Sequence, residues 1–399
     1  MRRILAILIC SLVVLTAYAQ TTTYYSHTSD HYRVNSDTSQ AAAKAVADKM
    51  EAALQLFNET LHFDLDELDM KLKVTVFAQK SGFDDYLQKI LSETRQDFVY
   101  IHYSDISKSE LVGFVKEDEA AFDSSLLHQA FIQLFKAFIP NPPIWLREGL
   151  ATYFDNAVYD ETSGRFVYKP NLLWLDSLKT MIAASSSGSG LIPVTEFLMM
   201  DRDSVQEKLQ SFYPQAWGIT AFLYDSTDRR YNRMLWDSLA VLGAGNSLKQ
   251  NSGLVLQDVV SWVDEEQIAG DFVAFIYSLK TFNDLVAEGI DLYTSNDLSG
   301  AARNFSQAVT LEPESFIPYY YLGLINYAEK SYTEAKDYYE KSLQLGADAA
   351  LAKYALGVNA FADNQFSAAV SYLTDAKQTD PSKYDDKVDS LLKRIETLQ

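Results

Sequence analysis

Apolar and polar positions along this chain follow two periods, and the change between them separates a mixed region from an all-helical one. In the upstream region Tyr24 to Val34 reads as a strand, Leu72 to Phe77 alternates like a half-buried strand, and Phe98 to His102 again carries strand character. Ser39 to Leu56 has the helical spacing of an amphipathic helix, with Ser39 placed as its N-cap. Leu126 to Phe138 and Gly218 to Tyr224 are apolar helices. Between them Ser185 to Gly190 reads as a flexible loop, beyond which a helical subdomain runs from Val194 to about Leu279.

The last third repeats itself every 34 residues: Gly289, Gly323 and Gly357 share that interval, as do Ala301, Ala335 and Ala369. Ala308, Ser342 and Ala376 follow in register, and Pro313 and Pro381 close the first and third units where Ala347 stands in the second. This spacing resembles the tetratricopeptide repeat (TPR), in which small residues let two helices approach closely and the proline ends the second. Residues 282–381 supply three units, and 382–399, with Tyr384, Val388, Leu391, Leu392 and Ile395 at helical spacing, read as a capping helix.

The resemblance implies that the first helix of each unit lines a concave groove. Its groove positions here are Val286, Ile290 and Tyr293 in the first unit, Tyr320, Leu324 and Tyr327 in the second, and Tyr354, Val358 and Phe361 in the third. No Lys or Arg falls among them, so this is not a groove that grips a terminal carboxylate with cations. Either an apolar or aromatic partner segment binds there, or a helix from residues 255–280 of the same chain fills the surface.

Residues 126–154 carry the candidate chemistry. An H-E-x-x-H helix places two imidazoles one turn apart to ligate zinc, with a Glu beside the metal as general base. Here the five positions are His128, Gln129, Ala130, Phe131 and Ile132, followed by W-L-R-E-G-L-A-T-Y-F with Glu148. The stretch resembles the peptidase MA-like, gluzincin-type domains, and Tyr213 to Trp217 followed by an apolar helix resembles a later helix of the same family. The resemblance spans roughly residues 24–225 and implies an α+β gluzincin-like domain ahead of the all-α TPR solenoid. It also marks His128, Gln129, Ile132 and Glu148 as vestigial positions, because Ile132 has no lone pair and the Gln129 amide takes up no proton near neutral pH. One lost imidazole removes on the order of 3 kcal/mol of zinc affinity, more than 100-fold. A lost general base removes about another 10² to 10⁴ in rate.

Composition narrows the setting. Residues 1–19 have Arg2 and Arg3, an apolar run from Ile4 to Leu15, and Ala17-Tyr18-Ala19, the layout of a cleaved export signal. Cys10 lies inside it and is the single cysteine, so the mature chain, 20–399, forms no internal disulfide. That pattern suits a bacterial periplasm or envelope. Loss of Arg2 and Arg3 takes the formal net charge from -20 to -22, and with no basic cluster nucleic acid and anionic lipid are poor partners. The other histidines, His27, His31, His62 and His102, lie far from residue 132 and read as surface or turn residues.

The expected layout is an export signal at 1–19, a peptidase-like α+β region at 20–184, a helical subdomain at 191–280, three TPR units and the cap. The expected function is that of an exported, non-catalytic scaffold or adaptor that holds protein or peptide segments of apolar and aromatic character, without cofactor. The alternative is an active zinc metallopeptidase using His128, Glu148 and one further ligand.

Overall fold

Strands form early in the chain because aromatic and β-branched residues cluster there between short polar turns. A computed structural model describes residues 23–184 and 190–398. Residues 1–19, read above as an export signal, and most of the Ser/Gly loop lie outside the described residues. Two compact units divide the chain: Met1–Pro142, Leu150–Tyr168 and Leu242–Leu248 form the first, and Pro143–Gly149, Lys169–Val241 and Lys249–Gln399 the second.

In the first unit the stretch Tyr24 to Val34 is two strands rather than one, β1 (Tyr25–Thr28) and β2 (Tyr32–Ser36), with Ser29 N–H bonded to Tyr32 O at 2.9 Å in the turn. Helix α1 (Gln40–Leu61) starts where expected, the Ser39 hydroxyl accepting the Ala42 N–H at 3.0 Å, and runs on to His62, a left-handed residue with φ 53°. Then come β3 (Leu72–Phe77), α2 (Lys80–Leu91), β4 (Val99–Ile101), β5 (Glu110–Phe114) and α3 (Glu119–Phe138). The sheet order is β1-β2-β3-β5-β4, parallel across β2, β3 and β5 and antiparallel at both edges. Val34 pairs with Val74, and Val74 with Leu111. In this central position β3 buries every residue but Lys73, where simple alternation predicts one exposed face. Helix α1 lies against β1 and β2 and α3 against β4 and β5. The two helices meet edge to face at Phe57 and Phe131, centroids 5.3 Å apart.

Between α1 and α3, Lys49 Nζ bonds Asp123 Oδ1 at 2.7 Å and Oδ2 at 2.9 Å, and Glu119 Oε1 at 3.0 Å. Burial alone would lower the Lys49 pKa, but its bonds to Asp123 and Glu119 outweigh that and raise it. Helix α4 (Ile144–Phe154) contributes residues to both units, and the hairpin β6 (Val158–Asp160) and β7 (Arg165–Val167) follows it.

The second unit is all helical: α5 (Leu175–Ala184), α6 (Val194–Met199), α7 (Arg202–Glu207), α8 (Leu209–Asp225), α9 (Arg229–Ala240), α10 (Leu248–Leu254), a π-helix (Val255–Val260) and α11 (Glu265–Ser278). Three antiparallel pairs follow: α12 (Phe282–Thr294) with α13 (Leu298–Leu311), α14 (Phe316–Ala328) with α15 (Tyr332–Gln344), and α16 (Ala349–Ala362) with α17 (Phe366–Thr379). Helix α18 (Pro381–Glu396) ends the array. The described helices include none long and apolar enough to cross a membrane.

Candidate functional site

Each solenoid pair closes on a glycine. A side chain at Gly289 would meet the Phe305 ring at 2.8 Å, one at Gly323 the Tyr339 ring at 2.5 Å, and one at Gly357 the Leu373 side chain at 2.7 Å. Ala301, Ala335, Ala369, Ala308, Ser342 and Ala376 are all fully buried beside these contacts. The turn inside each pair also repeats: Asn296, Lys330 and Asn364 are left-handed, with φ of 67°, 65° and 59°. Each carries a Schellman cap, in which the left-handed N–H bonds the carbonyl three residues back (Tyr293, Tyr327, Phe361) and the next N–H bonds the carbonyl five back (Leu292, Asn326, Ala360).

All nine predicted groove residues are half-buried. Seven of them also pack between helices: Ile290 and Tyr293 beside Phe305 and Leu322, Tyr320, Leu324 and Tyr327 beside Tyr339 and Leu356, and Tyr354 and Phe361 beside Leu373 and Tyr384. The third unit is the most covered, because α18 brings the Tyr384 ring to 4.9 Å from Tyr354 and the Arg394 guanidinium to 5.6 Å from Phe361. Helix α11 packs on α5 and α8. Burial, with Tyr384 nearby, pushes the Tyr320 hydroxyl up to about 12.

The four positions that the peptidase resemblance singled out have identifiable structural surroundings. On α3, Gln129 Oε1 accepts the backbone N–H of Tyr100 at 3.0 Å and so ties the helix to edge strand β4. Ile132 is buried in the core. His128 stands with Nδ1 3.2 Å from Asp155 Oδ2. In the second unit Glu148 is buried and receives Arg147 Nε–H at 2.8 Å. Burial and the Glu148 carboxylate push the Tyr213 hydroxyl up to about 12. The W-L-R-E-G-L-A-T-Y-F residues serve packing: Trp145, Leu146, Leu150, Ala151, Tyr153 and Phe154 are buried, and a Cβ on Gly149 would sit 2.5 Å from the Ala216 carbonyl of α8.

This donor set does not fit a zinc ion: the second ligand position is aliphatic, the base position is an amide bonded to backbone, and among the described residues no three His, Cys, Asp or Glu side chains group as metal ligands. Of the remaining histidines, His31 Nδ1 pairs with Glu51 Oε2 at 2.8 Å and His62 ends α1. Sequence spacing alone did not reveal Asp155, since it reaches His128 across 27 residues of chain.

The tetratricopeptide-repeat family matches residues 286–350. Among solved structures the chain is similar to the N-terminal domain of stress-induced protein-1 (STI-1) from C.elegans, at 21% identity over 30% of this chain and 99% of that one, with a TM-score of 0.26, too low to carry any argument. No curated protein matches. The family match lies wholly within α12 to α16, so what it shows is tetratricopeptide repeats over residues 286–350, within a helical solenoid-like C-terminal region.

Proposed function

We propose that the solenoid holds a protein segment of apolar and aromatic character, and that the whole chain is an exported scaffold or adaptor of the bacterial envelope whose peptidase MA-like region is non-catalytic. The observation that carries the binding part is the set of nine cation-free, half-buried groove residues at 34-residue intervals. Residues 282–381 hold 6 Lys and Arg against 14 Asp and Glu, a net of -8, so the field around the groove favours a segment flanked by Lys or Arg. Loss of the base and of a ligand position supports the non-catalytic part.

Selection of peptides from a random display library on residues 20–399 tests the reading. Aromatic peptides with basic flanks are expected, with binding weakened about tenfold or more by Leu324→Asp. Selection of peptides recognised by a free C-terminal carboxylate would overturn it.

One observation favours the alternative of an active zinc peptidase: a carboxylate on the ring nitrogen, as Asp155 is placed on His128, is how metal-ligating histidines are oriented. Calorimetric titration with zinc decides between them. Stoichiometric binding abolished by His128→Ala supports the metal site, and the proposal expects none.

A further inference from the structure

The second unit contains an apolar cavity of about 210 Å³ among α4, α6, α8, α9, the π-helix and α11. Ile219, Leu223, Met234, Val260, Ile268 and Phe272 are among its walls. An engineered cavity of roughly 150 Å³ admits benzene and stays dry, so this one suits a molecule on the order of 8 to 10 non-hydrogen atoms.

Three features distinguish it from a packing defect. Trp145 lines it and is 2% exposed, yet its indole Nε1 has no hydrogen-bond partner in the protein. A buried N–H without an acceptor is costly, and a ligand acceptor would satisfy it. Gln215, a buried side-chain amide in the wall, already has partners, its Oε1 accepting Ile192 N–H and its Nε2 donating to Ile192 O, both at 2.8 Å. The wall also includes a π-helical turn through Val260, a conformation frequent at functional sites. Exposed Glu265 and Ala269 of α11 mark the side open to solvent. The Glu265 carboxylate there disfavours an anionic ligand.

We propose that this cavity binds a small, neutral, mainly hydrocarbon molecule carrying one hydrogen-bond acceptor, which takes the Trp145 N–H. The site is separate from the solenoid groove and does not depend on its partner.

The probes are 1-indanone and indane, which differ by one carbonyl oxygen, titrated into residues 20–399 and followed by calorimetry and by the indole N–H resonances. 1-Indanone is expected to bind one to one, to shift the Trp145 indole N–H, and to bind about 2- to 10-fold more tightly than indane. Trp145→Phe should erase that preference while indane still binds. Ala269→Phe, at a solvent-side position that tolerates bulk without disturbing the fold, should weaken both at least tenfold and decides the matter alone if the Trp145 variant does not fold. Absence of stoichiometric binding, binding unchanged in Ala269→Phe, or displacement of 1-indanone by decanoate would each overturn the proposal.

Discussion

The solenoid and the mixed first unit solve the same problem, burying apolar faces of short elements, by opposite means. In the solenoid one solution is used three times: a glycine in the first helix admits a large side chain sixteen residues later, at 289 and 305, 323 and 339, 357 and 373. Nearest-neighbour contacts then suffice, and the chain carries the same small residues at a fixed interval. In the first unit β2 pairs with β3 forty residues on, and β3 with β5 almost as far away. Such contacts leave no periodic trace, and a polar group with a distant partner looks like any other polar group.

The sharpest break of this comparison is at Lys49. Lys49→Met leaves Asp123 buried and uncompensated and should destabilise the first unit by about 3–5 kcal/mol, with Asp123→Leu added on top recovering much of it. Denaturant unfolding of the two variants reads the difference. A next step down is Gly323→Ala, expected to weaken the solenoid by about 1–3 kcal/mol because the new methyl meets the Tyr339 ring. Gly270→Ala in α11, where a Cβ meets nothing within 4 Å, should instead stabilise by about 0.5–1 kcal/mol. If both alanines shifted the thermal midpoint alike, close packing would not be what the repeat glycines provide.

Lys330→Gly tests the turn. The neighbouring repeats place Asn at the equivalent left-handed position, and relief of the Lys Cβ strain should add about 0.5 kcal/mol, read as a small rise in midpoint.

The smallest effects are in pH. Burial would raise the Glu51 pKa, but hydrogen bonds from Ser29 and His31 outweigh it and hold the carboxyl low. The stability it adds to the first unit is present above the unfolded carboxylate range and lost as pH falls through the lower folded value, and Glu51→Gln should flatten that acid limb. Tyr213 works at the other end. Its hydroxyl is raised to about 12, so stability of the second unit is intact below about 10 and falls as pH climbs from there toward 12, and Tyr213→Phe should remove that part of the slope.

Legibility followed the range of the forces. Ser39 as a cap, β3 to the residue and the helices of the C-terminal repeat region were readable because each depends on neighbours within a few residues or on a repeated interval. β5 and α2 were not: Glu110 to Phe114 is a short strand held by pairing with β3, and α2, though amphipathic, begins at Gln79 without a side-chain cap to mark its start. The start of α3 at Glu119, capped by Asp118, was hidden because Asp123, Ser124 and Ser125 separate it from the apolar run that begins at Leu126.

The same division holds at the candidate sites. Residue chemistry alone determined that position 132 cannot ligate and position 129 cannot act as a base, and the 34-residue register, read through the tetratricopeptide resemblance, singled out the side chains proposed for the groove. Tertiary structure decided that Gln129 fastens α3 to β4, that Asp155 meets His128, that α18 covers Tyr354 and Phe361, and that Trp145, its buried N–H without a partner in the protein, lines an apolar cavity. A side chain's own chemistry is fixed by its type, whereas the desolvation and the partner that give it a role come from residues brought together only when the chain folds.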